Sequence, residues 1–277
     1  MSLKLMYITN DPEIALIAED SGVDRIFIDM EYIGKKERQG GMDTVQSNHT
    51  IQDIINVRSV IKKSELLVRC NPIHDMSKEF TSSEDEINAI IEAGADIIML
   101  PFFKSKLEVQ KFVDFVSGRV KTMLLFETPE SIAVIDDILS ISGIDEVFIG
   151  LNDLSIGYKK KFMFELLSDG TVENICFKFK HKKIPYGFGG IAAIGTGTLP
   201  AEAILKEHYR LGSTRVILSR SFCNYEKISD TNAVKDIFER GVRTMRAFED
   251  EIEVHSRYFD NNTAYIKSCV NLIVENK

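Results

Sequence analysis

The chain has 277 residues, 44% of them apolar and 27% charged, enough for two average domains or one large single-core fold. Its 34 basic and 42 acidic residues leave a net charge of −8. That argues against a nucleic-acid partner, because such binding relies on clustered Lys and Arg that displace counterions.

The opening stretch MSLKLMYITNDPE has no signal-peptide core. No apolar run reaches the roughly 20 residues needed to cross a bilayer. Cys70, Cys176, Cys223 and Cys269 lie too far apart for a zinc knuckle or a disulfide framework. A cytoplasmic protein that binds a small molecule, with no membrane partner, is the expectation.

In chain order, strand-like runs fall at Leu5–Thr9, Asp24–Met30, Glu65–Asn71, Asp96–Pro101, Thr122–Glu127, Glu146–Leu151, Pro185–Ala192 and Thr214–Ser219. Most are continuously apolar, the pattern of strands buried on both faces in a parallel sheet. Helical segments lie between them. Asp11 and Pro12 open the first, and Gly22 closes it. Thr50 with Asp53, and Ser83 with Glu86, have capping-box spacing. Ile132, Ile135, Ile138 and Leu139 share one helical face after Thr128. Thr198 and Pro200 open a further helix that Gly212 closes. Eight strand–helix units predict a (β/α)8 TIM barrel. The turn after the first strand, TNDPE, lacks the glycine fingerprint of a doubly wound dinucleotide fold. No linker divides the chain, so a single domain over 1–277 is expected, with 230–277 as a helical packing or oligomerisation arm.

A barrel of this kind gathers its site at the C-terminal ends of its strands. There the sequence places Asp29-Met30-Glu31-Tyr32, Arg69-Cys70-Asn71, Glu127-Thr128 and Asn152-Asp153-Leu154-Ser155. Glu127 and Asp153 end adjacent strands, where they could converge on a hard divalent cation. Arg69, drawn into the mouth by the apolar strand before it, needs an anion. A carboxylate-bearing substrate would serve, and so would a structural ion pair with Asp29 or Glu31. A Schiff-base mechanism needs a desolvated lysine near the strand ends. Lys121, Lys104 and Lys159–Lys161 do not offer one, which favours a metal as the electron sink. The glycines of GFGGIAAIGTGTLPAE fit a tight barrel turn better than a phosphate cradle at a helix start.

The segments GVDRIFIDMEY, LVRCN, EAGADIIMLPFFKS, LLFETPESI, GIDEVFIGLNDLSIG and GGI…GTG…LPAE…HYRLGSTRVILSR resemble, in this order, the HpcH/HpaI aldolase and citrate lyase family. The resemblance implies a (β/α)8 barrel and a metal-dependent (class II) carbon–carbon lyase working through a pyruvate enolate. By the same resemblance, Glu127 and Asp153 are the metal ligands, and the metal is Mg²⁺, Mn²⁺ or another divalent cation. Arg69 contacts the substrate oxo group, and backbone around Asn152 and Asp153 holds its carboxylate. The partners implied are a 2-oxo acid, an aldehyde and further copies of the chain in a homo-oligomer.

Two positions depart from the family pattern. Tyr32 stands where the aldolases commonly have His, and Leu125 stands where they frequently have Gln. The base role is open among Asp29, a metal-bound water, His49 and His74, with Tyr32 as a hydrogen-bond donor or acid. A citrate or malyl-CoA-type acyl-CoA lyase, and a catalytically lapsed barrel that binds a 2-oxo acid, are the alternatives.

Overall fold

Apolar stretches of four to six residues form eight parallel strands in a computed structural model that describes residues 2–35, 49–254 and 259–276. They are β1 (Lys4–Ile8), β2 (Arg25–Asp29), β3 (Glu65–Arg69), β4 (Ile97–Leu100), β5 (Lys121–Phe126), β6 (Glu146–Ile149), β7 (Tyr186–Ile191) and β8 (Arg215–Leu218). Each pairs with the next, and β8 pairs with β1, closing the (β/α)8 barrel expected from the pattern.

Helices α1 (Pro12–Asp20), α2 (Ile51–Val60), α3 (Ser83–Glu92) and α4 (Lys106–Val116) cover the first half. The second half carries α5 (Pro129–Ala133), α6 (Ile135–Ile138), α7 (Leu151–Gly157), α8 (Glu165–Ser168), α9 (Thr171–His181) and α10 (Ala201–Leu211). The tail forms α11 (Thr231–Val254) and α12 (Phe259–Glu275). α11 packs on α1 and α10, and α12 packs on α8 and α10. Their buried residues, among them Phe238, Met245, Ile266 and Val270, join the core between the strands and the outer helices. No described helix is long and apolar enough to cross a membrane.

Local signals set several boundaries. Asp11 caps α1 through the Glu13 and Ile14 amides, with Pro12 in the first turn. Thr50 and Asp53 form a reciprocal capping box on α2. The expected box at Ser83 and Glu86 is displaced. Ser82 is the cap, accepting from the Asp85 amide. Ser83 turns its hydroxyl to His74, and buried Glu86 accepts from the backbone and side chain of Asn71. The helix expected after Thr128 is two short ones, broken at Val134, whose backbone leaves the helical region (φ −112°, ψ 21°). In β7, a Cβ on Gly187 would lie 2.3 Å from the Arg215 carbonyl oxygen, so this glycine serves close strand packing.

Alternation along the strands sorts the barrel interior into three layers. Met6, Phe27, Leu67, Met99, Met123, Leu125 and Phe148 form a separate apolar cluster in its middle. Two residues earlier on those strands stand Arg25, Glu65 and Glu146 at one end. Two residues later stand Asp29, Arg69, Glu127 and Gly150 at the other. The β2–β3 register aligns Asp29 with Arg69. The site is therefore the last inward step of strands whose preceding step is the hydrophobic plug.

Candidate active site

A cavity of about 360 Å³ opens at the C-terminal ends of the strands. It is lined by Asp29, Lys35, His49, Arg69, Leu125, Glu127, Asn152 and Asp153, with Gly189, Gly190 and the segment after β8. Five residues singled out in the sequence, Asp29, Arg69, Glu127, Asn152 and Asp153, thus share one wall-bounded space.

The cation-rich side is built on Asp29. Arg69 Nε donates to its Oδ1 at 2.8 Å and Nη2 to its Oδ2 at 2.7 Å, a two-point fork between aligned strands. Lys35 Nζ donates to Oδ2 at 2.7 Å and lies 3.9 Å from Glu31. Arg69 Nη1 lies 3.3 Å from the Glu31 carboxylate. The structural ion pair weighed for Arg69 is thus present, and Arg69 still lines the cavity. Burial alone would raise the Asp29 pKa, but the charges of Arg69 and Lys35 outweigh it and hold the carboxyl well below its usual range. A carboxylate so committed is a poor general base. Asp29 instead holds the Arg69 guanidinium and the Lys35 ammonium in place. Burial likewise opposes the charge of Arg69, and the carboxylates of Asp29, Glu31 and Glu127 overcome it.

The acidic side is built from β5 and β6. Glu127 is buried, and its Oε1 accepts from the Phe102 amide at 3.0 Å. A side chain at Gly150 would put its Cβ 2.7 Å from Glu127 Oε2, so the bare backbone there makes the cradle for this carboxylate. Asp153, also buried, stands in the first turn of α7. Among the described residues, no group of three His, Cys, Asp or Glu side chains converges as a metal cage. Two carboxylates facing a water-accessible cavity remain the donor set, which suits a hard cation that keeps several waters and leaves positions for a chelating substrate.

Tyr32 needs a correction. It is not among the residues lining the cavity; its amide donates to Asn71 Oδ1 at 2.9 Å, and its buried hydroxyl has no hydrogen-bond partner among the described residues. His74 is also elsewhere, with Nδ1 near the Pro72 carbonyl and the Ser83 hydroxyl. His49 does reach the cavity. A lysine beyond Lys104, Lys121 and Lys159–Lys161 reaches the site. Lys35, only 4% exposed, sits at the strand ends after all. Its signal was weak, since it lies four residues past Glu31 in a polar, glycine-rich stretch.

A profile of the HpcH/HpaI aldolase/citrate lyase family matches residues 4–168. The chain belongs to that family. The match spans β1 to α8, and so includes Asp29, Arg69, Glu127 and Asp153. Among solved structures, the chain is similar to a HpcH/HpaI aldolase of Desulfitobacterium hafniense DCB-2, at 18% identity and a TM-score of 0.56, over 88% of this chain and 93% of that one. It is also similar to a HpcH/HpaI aldolase/citrate lyase family protein of Burkholderia cenocepacia J2315, at 12% identity and a TM-score of 0.60, over 85% and 95%. At such identities the likeness speaks to the fold. No curated protein matches. Family membership makes lyase and aldolase chemistry the frame in which the cavity is read.

Proposed function

We propose that the chain is a divalent-cation-dependent (class II) aldolase that makes or cleaves a hydroxy-2-oxo acid through a pyruvate enolate. The observation that carries the reading is the meeting of Arg69 with Glu127 and Asp153 in one cavity at the strand ends. Glu127 and Asp153 would hold Mg²⁺ or Mn²⁺, which when bound supplies Lewis-acid charge for the carboxylate and oxo groups of the 2-oxo acid.

The chain's own residues do the rest. Arg69 has five N–H donors; two go to Asp29 and a third faces Glu31, which leaves others for the substrate oxo oxygen. Because Asp29 and Glu31 fix the guanidinium beforehand, little reorganisation is needed as charge develops on that oxygen. The first turn of α7, at Asn152 and Asp153, borders the place for the substrate carboxylate. Leu125 gives the adjoining wall an apolar surface.

A lysine at the strand ends raises the Schiff-base route again. That route needs a free neutral amine, whereas Lys35 Nζ is ion-paired to Asp29 at 2.7 Å, which favours the cation-dependent reading. The test is decarboxylation of oxaloacetate, which forms the same enolate with no aldehyde present. It should stop when EDTA is added and return with Mg²⁺ or Mn²⁺. Turnover that ignores chelation, or trapping of Lys35 by borohydride, would falsify the proposal. The cytoplasm and a homo-oligomer of this chain are proposed as its setting.

A further inference from the structure

Among the cavity-lining side chains that the enolate reading does not use are two held by Asp29, Lys35 and His49. Both hang on Asp29, by different atoms. Lys35 Nζ donates to the Asp29 carboxylate, and the Asp29 backbone N–H donates to His49 Nδ1 at 3.0 Å. A backbone N–H can only donate, so Nδ1 must keep its lone pair. The neutral imidazole then carries its single proton on Nε2. Burial works in the same direction, pushing the His49 pKa down against the opposing pull of Asp29, Asp53 and Glu226, while Lys35 reinforces it. His49 Nε2 makes no hydrogen bond to any described residue. His49 is thus fixed as a donor and is not a base at Nε2. Lys35 has three N–H bonds; among the described residues one is on Asp29 and Glu31 lies 3.9 Å from Nζ, which leaves donor capacity for a ligand.

We propose that Lys35 and His49 together form the subsite for the carbonyl oxygen of the aldehyde, His49 through Nε2–H and Lys35 through Nζ. This rests on the enolate reading above. In the addition direction, the enolate C3 attacks the aldehyde carbon and its π pair becomes the new C–C bond. The carbonyl π pair moves onto the aldehyde oxygen, which Lys35 Nζ and His49 Nε2 hold by hydrogen bonds while it takes a proton from a cavity water. In cleavage, a cavity water takes the hydroxyl proton while Lys35 and His49 hold the oxygen, the O–H pair becomes the aldehyde π bond, and the C–C bond breaks with its electron pair returning to the enolate. His49 keeps its proton in both directions. Asp29, clamped by Arg69, sets the distance between the enolate half of the cavity and the aldehyde half.

The experiment compares two reactions in the same protein samples. Oxaloacetate decarboxylation reads the enolate half, and addition of pyruvate to glycolaldehyde reads both halves. In Lys35→Met and His49→Phe, addition should fall about 100-fold or more beyond any fall in decarboxylation, the scale of a lost oxyanion donor. His49→Gln, which retains an N–H, should recover part of the addition rate. Equal falls in both reactions, or unchanged addition, would overturn the subsite. A wild-type protein that does not decarboxylate oxaloacetate would instead remove the enolate reading beneath it. Independently of turnover, ¹⁵N spectra of the metal-free protein should show His49 protonated on Nε2 and bare on Nδ1 from about pH 6 to about pH 8. Proton uptake at Nδ1 in that range would also overturn the assignment.

Discussion

The barrel holds two buried charged layers, one at each end of the same strands, and they are built to opposite specifications. At the N-terminal end, Arg25 is fully buried. Its Nη1 and Nη2 donate to both oxygens of Glu146, and its Nε donates to Glu65. Arg215 forks onto the same Glu146 through Nε and Nη2. Charge meets charge there within the protein. At the C-terminal end, Arg69, Lys35 and His49 are anchored to Asp29 yet line a cavity, with N–H groups left over. A larger cleft of about 670 Å³ lies at the N-terminal end, but its Arg58 and Lys121 are already paired with Asp96 and Glu65. The lesson is that buried charge alone does not mark a site; charge held in place with bonding capacity to spare does.

The largest expected effect breaks the N-terminal layer. Glu146→Ala strands two guanidiniums that share this carboxylate and should cost about 3–5 kcal/mol in denaturant unfolding. The same layer predicts acid lability. Hydrogen bonds from Arg215 and Arg25 overcome burial and hold the Glu146 pKa at about 2, below its ordinary 4.5. A depressed carboxylate contributes its full stability above the unfolded value, and that contribution disappears as pH falls from about 4.5 toward about 2. Glu65, also held at about 2, acts in the same window. The slope of stability against pH there should be shallower in Glu146→Gln than in the wild type. An equal slope would assign acid unfolding to other groups.

The C-terminal layer should answer in activity. Arg69→Lys keeps a cation beside Asp29 but loses the fork, and oxaloacetate decarboxylation should drop about 10²–10³-fold. Its unfolding midpoint should move far less than that of Glu146→Ala. Comparable destabilisation would make both ends structural plugs and erase the contrast. A smaller effect is expected from Gly150→Ala. Its Cβ would sit 2.7 Å from Glu127 Oε2 and 2.8 Å from Glu127 Cβ, so the carboxylate must move. About 1–3 kcal/mol of stability should be lost to this overpacking, and Mg²⁺ titrations should show weaker binding.

Much of this contrast was legible in the sequence. Eight continuously apolar runs carried the barrel, because strands buried on both faces leave a pattern that loops do not imitate. Asp29, Arg69, Glu127 and Asp153 were legible because strand ends are where such a barrel keeps its site. The placement of Lys35, His49 and Tyr32 was not. Each lies beyond a strand end, where no periodicity says which way a side chain turns, and the chain brings Lys35 in and leaves Tyr32 out. The cap at Ser82 was missed because adjacent serines, Ser82 and Ser83, offer the same chemistry one residue apart. Only the competing bond of Ser83 to His74 decides between them.

The smallest expected effect tests how His49 is held. His49 directly precedes Thr50, the cap of α2, so the helix start fixes the backbone from which the imidazole reaches the Asp29 amide. Thr50→Ala removes the acceptor for the Asp53 amide and should cost about 1 kcal/mol in unfolding. If the cap positions His49, glycolaldehyde addition should fall severalfold with oxaloacetate decarboxylation unaffected, since the fork between Arg69 and Asp29 is held by the ends of β3 and β2 and not by the α2 cap. If Asp29 alone holds the imidazole, the stability loss should appear with no change in the ratio of the two rates. The two outcomes separate a site anchored from both sides of the cavity wall from one anchored only at its strand.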